Sequence, residues 1–202
     1  MARADRVVLH EVGPRDGLQV EKTVVPTETK LRWIAALCEA GLDVVQVGSF
    51  VHPEKVPQMA DTDALFRALT APGAERKGHA LYSGLVLNEK GLDRALACGV
   101  EMVCLGVSAS ETHSRKNTGM GTAEATERIV ATARKAVDAG RKVQVSVQSA
   151  FGCGFEGEVP EERVIDIARA YVDAGLLTIA LADTAGHAYP EQVERLYGKL
   201  LA

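Results

Sequence analysis

Glu11-Val12-Gly13-Pro14-Arg15-Asp16-Gly17-Leu18-Gln19 follows directly on the apolar run Val7-Val8-Leu9. An apolar run ending in such a segment reads as a strand that leaves the core and turns over its own end. Gly13, Pro14 and Gly17 give that turn its backbone freedom and its fixed φ. Glu11, Arg15 and Asp16 put two carboxylates and a guanidinium within six residues. Three charges at a strand mouth are costly to crowd unless something organises them. A divalent metal would do so, with Asp as a hard oxygen ligand and Arg beside it to hold a substrate carboxylate or a developing enolate oxygen. A solvated turn with an Arg–Asp pair is the plainer alternative.

Outward from this stretch, one pattern repeats. Glu39-Ala40-Gly41-Leu42-Asp43-Val44-Val45, Ala97-Cys98-Gly99-Val100-Glu101-Met102-Val103, Asp138-Ala139-Gly140-Arg141-Lys142-Val143 and Asp173-Ala174-Gly175-Leu176-Leu177-Thr178-Ile179 share one form. Each is a helix end, a glycine suited to the left-handed C′ position, and a β-rich run. Helix–Gly–strand repeated in this way implies parallel strands joined by helical crossovers. Strands are expected at Arg6–His10, Asp43–Val47, Ala80–Leu87, Met102–Val107, Lys142–Gln148 and Leu177–Leu181. Helices are expected at Thr27–Ala40, Asp61–Leu69, Glu89–Cys98, Thr122–Ala139, Pro160–Ala174 and Pro190–Leu201. Pro26-Thr27, Asp61, Asn88, Pro160 and Pro190 mark helix starts. Leu31, Ile34, Ala35 and Cys38 form one apolar face on the first helix.

In the fifth strand Val143, Val145 and Val147 alternate with Gln144, Ser146 and Gln148. The valine side suits a covering helix. The polar side suits a barrel lumen near a site, or the wet face of an edge strand. Loops after the strands are long: Gly48 to Met59, Ser108 to Asn117, and Gly152 to Gly157. Return loops are short. A barrel with its site on the C-terminal face has this asymmetry. Asp183-Thr184-Ala185-Gly186-His187 falls on the same face.

The composition (202 residues, 47% hydrophobic, 25% charged, net charge −4) is that of an ordinary globular chain with enough length for a large core. No basic block suggests nucleic acid, and no apolar run approaches the roughly 20 residues of a membrane span. Met1 to Arg6 lacks the apolar region of a secretory signal. Cys38, Cys98, Cys104 and Cys153 show no close paired spacing, which suits a reduced, cytoplasmic setting better than a disulfide framework.

The 11–19 segment, Ser49-Phe50-Val51-His52-Pro53-Glu54-Lys55-Val56-Pro57-Gln58-Met59 and Gly152-Cys153-Gly154-Phe155-Glu156-Gly157 occur in this order along the chain. Together they resemble the 3-hydroxy-3-methylglutaryl-CoA lyase branch of the metal-dependent lyases and synthases. The resemblance implies an α/β fold, a (β/α)8 TIM barrel of which about six β–α units are present, as one domain over 1–202 that lacks the last two units. It implies retro-Claisen cleavage of a 3-hydroxyacyl-CoA to acetyl-CoA and a keto acid. By the same likeness Asp16 is a ligand of Mg²⁺ or Mn²⁺, with the remaining ligands expected beyond residue 202. Arg15 steadies the enolate oxygen, Glu11 orients metal-bound groups and Asp183 takes part in proton transfer. Gln19, Lys22, Gln46, Ser49 and Thr184 serve substrate binding, Lys22 near the CoA phosphates. An acyl-CoA substrate and a homo-oligomer are the expected partners.

Two departures stand out. The family commonly has Glu where this chain has Gln46, which removes a negative charge from the metal site. The family's His-x-His pair, Asn ligand and lid cysteine have no counterpart, since no two of His10, His52, His79, His113 and His187 lie at i, i+2. Two other functions therefore stand beside the lyase: an inactive truncated barrel acting as a binding module, and a Claisen-type synthase, which the Pro14 form of the motif disfavours. Among smaller signals, Cys153 reads as positional rather than nucleophilic, and Arg115-Lys116 as a solvated pair or a phosphate contact. His52 and His113 read as exposed polar residues, and Trp33 as packing surface.

Overall fold

Helix ends set the frame. In the computed structural model, which describes residues 6–201, Gly41, Gly99, Gly140 and Gly175 follow helices with φ of 86°, 76°, 73° and 76°. Each stands where an L side chain would be strained, so the chain can reverse there into the next strand. The chain divides into two compact units, Met1–Val103 and Cys104–Ala202.

The first unit runs β1 (His10–Glu11), α1 (Asp16–Gln19), α2 (Thr27–Glu39), β2 (Val44–Ser49), a 3₁₀ turn (Pro57–Met59), α3 (Thr62–Thr70), β3 (Leu81–Leu85) and α4 (Glu89–Ala97). β1 and β3 flank β2, all parallel, with His10 opposite Val44 and Val44 opposite Leu81. Every residue of β2 is buried, which is how a parallel strand covered on both faces reads. Ile34, Cys38, Val45, Val47, Leu65 and Phe66 make its core. Phe50 and Phe66 meet tilted with centroids 5.2 Å apart. Each such large side chain contributes about 1.5–3 kcal/mol on burial.

β4 (Met102–Ser108) begins at the end of the first unit and runs into the second. After it come α5 (Glu111–Thr118), α6 (Thr122–Asp138), β5 (Lys142–Gln148), α7 (Glu161–Asp173), β6 (Ile179–Leu181) and α8 (Pro190–Leu200). β5 lies between β4 and β6, with Val145 opposite Ile179. Val145 and Val147 are buried, as are Ile167 and Tyr171 of α7, whose phenol donates to the Ser146 carbonyl at 3.1 Å. The polar side of β5 faces Gly106 of β4. A side chain there would overlap Ser146 Oγ and crowd Gln148, so both would have to shift to admit it.

Three expectations need correction. The first strand is two residues long rather than Arg6–His10, and Val7, Val8 and Leu9 are exposed at 76%, 62% and 56%. Among the described residues the ladder with β2 begins at His10, preceded by Val44 N donating to the Leu9 carbonyl at 3.1 Å, and no layer of the described residues covers Val7 and Val8. Asp61 stands at the start of α3 as expected, with its carboxylate bonded to other side chains rather than to the helix's own backbone. Residues 111–117, read as loop, belong to α5: Ser110 Oγ accepts from His113 N at 3.1 Å and Gly119 ends the helix at φ 77°. Trp33 is not packing surface, being 47% exposed on the outer side of α2. Asn88 does cap its helix, accepting from Gly91 N at 3.0 Å.

Candidate active site

The 11–19 segment folds back tightly over the end of β1. Glu11 Oε1 accepts from Gly13 N at 2.5 Å, and a Cβ on Gly13 would fall 2.7 Å from that oxygen. Arg15 N and Asp16 N both donate to the Val12 carbonyl, which launches the single turn of α1. The Arg15 guanidinium is held on two sides: Nε donates to Gln46 Oε1 and Nη1 to Asp16 Oδ1, both at 2.6 Å. Arg15 is mostly buried, whereas the Asp16 side chain is 64% exposed and open to a ligand. The Gln46 amide, buried in β2, does part of what a carboxylate would do there. It accepts from the guanidinium while adding no negative charge.

Two buried acceptors in this unit lack hydrogen-bond partners among the described residues: Gln19 Oε1 and Ser49 Oγ. Both belong to residues expected to bind substrate. Ser49 itself is fully buried at the end of β2. The register slips between Gln46 and Gly48, and Gly48 turns against Thr62, where a Cβ would lie 2.5 Å from Thr62 Oγ1. Lys22 is exposed on the turn after α1.

Beneath these loops lies a pair that sequence reasoning missed. Lys30, 1% exposed, donates from Nζ to Asp61 Oδ1 and to the Gln58 carbonyl, both at 2.6 Å. Asp61 Oδ2 also accepts from Thr27 Oγ1 at 2.8 Å. The available signal was spacing, because Lys30 sits four residues before Ile34 and eight before Cys38, on the buried stripe of α2.

In the second unit Asp183 and Thr184 lie just past β6. Asp183 accepts from His187 N at 2.9 Å and Ala188 N at 3.1 Å, so its carboxylate folds the turn that follows it. Thr184 Oγ1 accepts from Ser149 N at 2.8 Å. Ser149 is the non-glycine residue of positive φ, 53°, among the described residues, a strained conformation at the end of β5. A cleft of about 320 Å³ lies here, lined by His113, Ser149, Cys153, Phe155, Thr184 and His187.

The 152–157 loop is closed by two backbone hydrogen bonds between Cys153 and Gly157, each 2.8 Å. Burial pushes the Cys153 thiol up. Hydrogen bonds from the Ser110 hydroxyl and the Phe155 and Glu156 amides outweigh it and leave the thiol below its ordinary range. Lys116 lies 3.7 Å above the Phe155 ring and Arg115 pairs with Glu111 at 3.6 Å. His113 is partly buried, not an exposed loop residue, and that burial holds its imidazole below the usual range.

Among the described residues no group of three or more His, Cys, Asp or Glu is placed to hold a metal ion. No helix among them is long and apolar enough to cross a membrane.

Residues 6–202 match the family described as HMGL-like. A hydroxymethylglutaryl-CoA lyase of Bacillus subtilis is 38% identical over 197 residues, covering 98% of this chain and 64% of the relative. An (R)-citramalyl-CoA lyase of Chloroflexus aurantiacus is 39% identical, with shares of 98% and 64%. The crystal structure of a Bacillus subtilis HMG-CoA lyase superposes with a TM-score of 0.91 at 37% identity, over 100% of this chain and 66% of that one. The chain thus spans about two thirds of the length of these relatives. Its strands and helices are β–α units of the (β/α)8 barrel, six of them.

Proposed function

Since the chain belongs to the HMGL-like family, we propose that it serves a carbon–carbon lyase that cleaves a 3-hydroxyacyl-CoA, of the 3-hydroxy-3-methylglutaryl-CoA type, to acetyl-CoA and a keto acid. The observation that carries this reading is Arg15, a guanidinium fixed by Gln46 and Asp16 at the mouth of β1. In the cleavage, the substrate's 3-hydroxyl loses its proton and becomes the new carbonyl. The C2–C3 bond breaks, and its electron pair moves into the thioester as an enolate. A proton added at C2 completes acetyl-CoA. Arg15 faces the enolate oxygen, where a fixed cation gains most in the transition state. Asp183 takes the hydroxyl proton, and Glu11 orients the groups around Asp16. Gln19, Gln46, Ser49 and Thr184 contact the acyl part, and Lys22 the CoA phosphates.

The family's divalent metal, Mg²⁺ or Mn²⁺, would polarise the substrate's hydroxyl and carboxylate oxygens when bound. Asp16 is the ligand this chain would offer. It does not make a site for a hard ion that takes about six oxygens, so the remaining ligands are assigned to polypeptide outside residues 1–202. By the same reasoning residues 1–202 alone turn over slowly. A reduced, cytoplasmic setting suits the four free, buried cysteines. A homo-oligomer completes the proposal.

The test has two arms. Calorimetry of residues 1–202 should show binding of the thioester and only weak binding of Mg²⁺ or Mn²⁺; tight one-to-one metal binding would overturn the ligand assignment. In polypeptide that supplies the missing ligands, acetyl-CoA should be released from 3-hydroxy-3-methylglutaryl-CoA or citramalyl-CoA, and Asp16→Asn should weaken metal affinity and rate together. Cleavage of neither thioester would remove the lyase reading.

A further inference from the structure

Residues 21–24, which join α1 to α2, are all exposed. Glu21 is nevertheless pinned from the next loop: Gln58 Nε2 donates to the Glu21 carbonyl at 2.6 Å. Gln58 is held in turn by its own carbonyl, which accepts from the buried Lys30 ammonium at 2.6 Å. That ammonium is fixed by Asp61, and Asp61 by Thr27 at the start of α2. The next residue along, Thr62, donates to the Met59 carbonyl at 2.8 Å and accepts from Ser49 N at 3.2 Å, so the end of the 3₁₀ turn is tied to the end of β2. α1 packs against this turn.

A lysine removed from water must have its charge met on the spot, and here it is met by one carboxylate and one backbone carbonyl. A surface ion pair would do little, but a desolvated one fixes geometry because any displacement leaves a bare charge in the interior. The ammonium points at the one carbonyl whose side chain reaches Glu21. We propose that Gln58, backed by the buried Lys30–Asp61 pair, is a positioning device that holds the Glu21–Lys22 turn in place, so that Lys22 meets the phosphate end of a CoA thioester. This rests on the lyase reading for the identity of the ligand. Lys30, Asp61 and Gln58 touch no reacting atom; they act through Lys22.

Two variants separate positioning from folding. Gln58→Leu removes the tether from a half-buried turn and leaves the ion pair whole. Lys30→Met removes the ion pair itself. Amide hydrogen exchange in the intact chain should rise about tenfold at residues 20–24 in both variants, with α6 unchanged in Gln58→Leu. Calorimetry with free CoA should show affinity falling about five- to tenfold in Gln58→Leu and no further when Lys22→Gln is added, because both act through one contact.

Unchanged exchange at residues 20–24 in Gln58→Leu would overturn the tether even if Lys30→Met fails to fold. Faster exchange with unaltered CoA affinity would overturn the positioning role. If the unmodified chain binds no CoA, the assignment of Lys22 falls with the lyase reading, while the exchange comparison still decides whether Gln58 holds the turn.

Discussion

The two ends of the strands in the first unit handle charge in opposite ways. At the entry ends, Asp43 accepts from Leu9 N at 2.9 Å, pairs with Arg6 and lies 3.5 Å from His79. Arg76 bonds both oxygens of Glu101 at 2.7 Å, caps the Ala80 carbonyl and lies 4.6 Å over the Tyr82 ring. Glu101 also accepts from Tyr82 N at 2.7 Å. At the exit ends, Asp16 is open to solvent, and Gln19 Oε1 and Ser49 Oγ are buried without partners among the described residues. An unmet buried acceptor costs about 1–3 kcal/mol. One end is closed by interactions that stabilise the fold, while the other leaves polar groups without a partner among the described residues.

The sharpest way to break this contrast is to remove one arginine from each end. Arg15→Gln should lower kcat about a hundredfold or more in the catalytically complete protein, with KM and melting temperature little changed. Normal turnover with a lower melting point would place Arg15 with the structural charges instead. Gly78→Ala tests the closed end. Gly78 has φ 67°, and a Cβ would overlap the Cys38 carbonyl oxygen. Stability should fall by about 2–3 kcal/mol in denaturant titration, with ligand binding per folded molecule intact. Arg76→Gln should cost less, about 1 kcal/mol, because its pair with Glu101 is partly screened by solvent.

A pH titration sharpens the comparison further. The Tyr82 phenol is pushed up to about 12, first by burial and then by the neighbouring Cys38 thiol. Its pKa is higher folded than unfolded. Its contribution is therefore complete below the ordinary phenol range near 10, and is lost as pH rises from there towards 12. Tyr82→Phe should remove that part of the alkaline loss in a chemical-denaturation series. A series identical to that of the unmodified chain would show that the phenol is not buried in this way.

The features legible in the sequence were those that repeat or that need a special backbone. The helix–Gly–strand units were readable because Gly41, Gly99, Gly140 and Gly175 each mark a left-handed turn, and five strands fell close to their expected places. The Arg15–Asp16 segment stood out by its crowded charge, and its pairing with Gln46 brings β1 and β2 to one place. What was hidden had no periodic signature. α5 carries Glu-Thr-His-Ser-Arg-Lys-Asn-Thr with no apolar stripe, so only its Ser110 cap and Gly119 stop announced it. Val7-Val8-Leu9 was misread because apolar composition was taken for burial, whereas burial also requires a covering layer. Lys30 was passed over because a charge on an apolar stripe reads as noise until its partner, 31 residues away, is seen beside it.

The uncovered Val7-Val8-Leu9 segment also bears on how the protein behaves in the tube. An apolar stretch beside the first strand, held to its neighbour through Leu9 and exposed at Val7 and Val8, is a template for adhesion between molecules. Recovery from expression should depend on concentration, and precipitation should begin at this segment rather than at the charged outer faces of the helices. Val8→Lys would be a mild remedy, raising solubility from an exposed position that bonds to none of Glu11, Arg15 and Asp16.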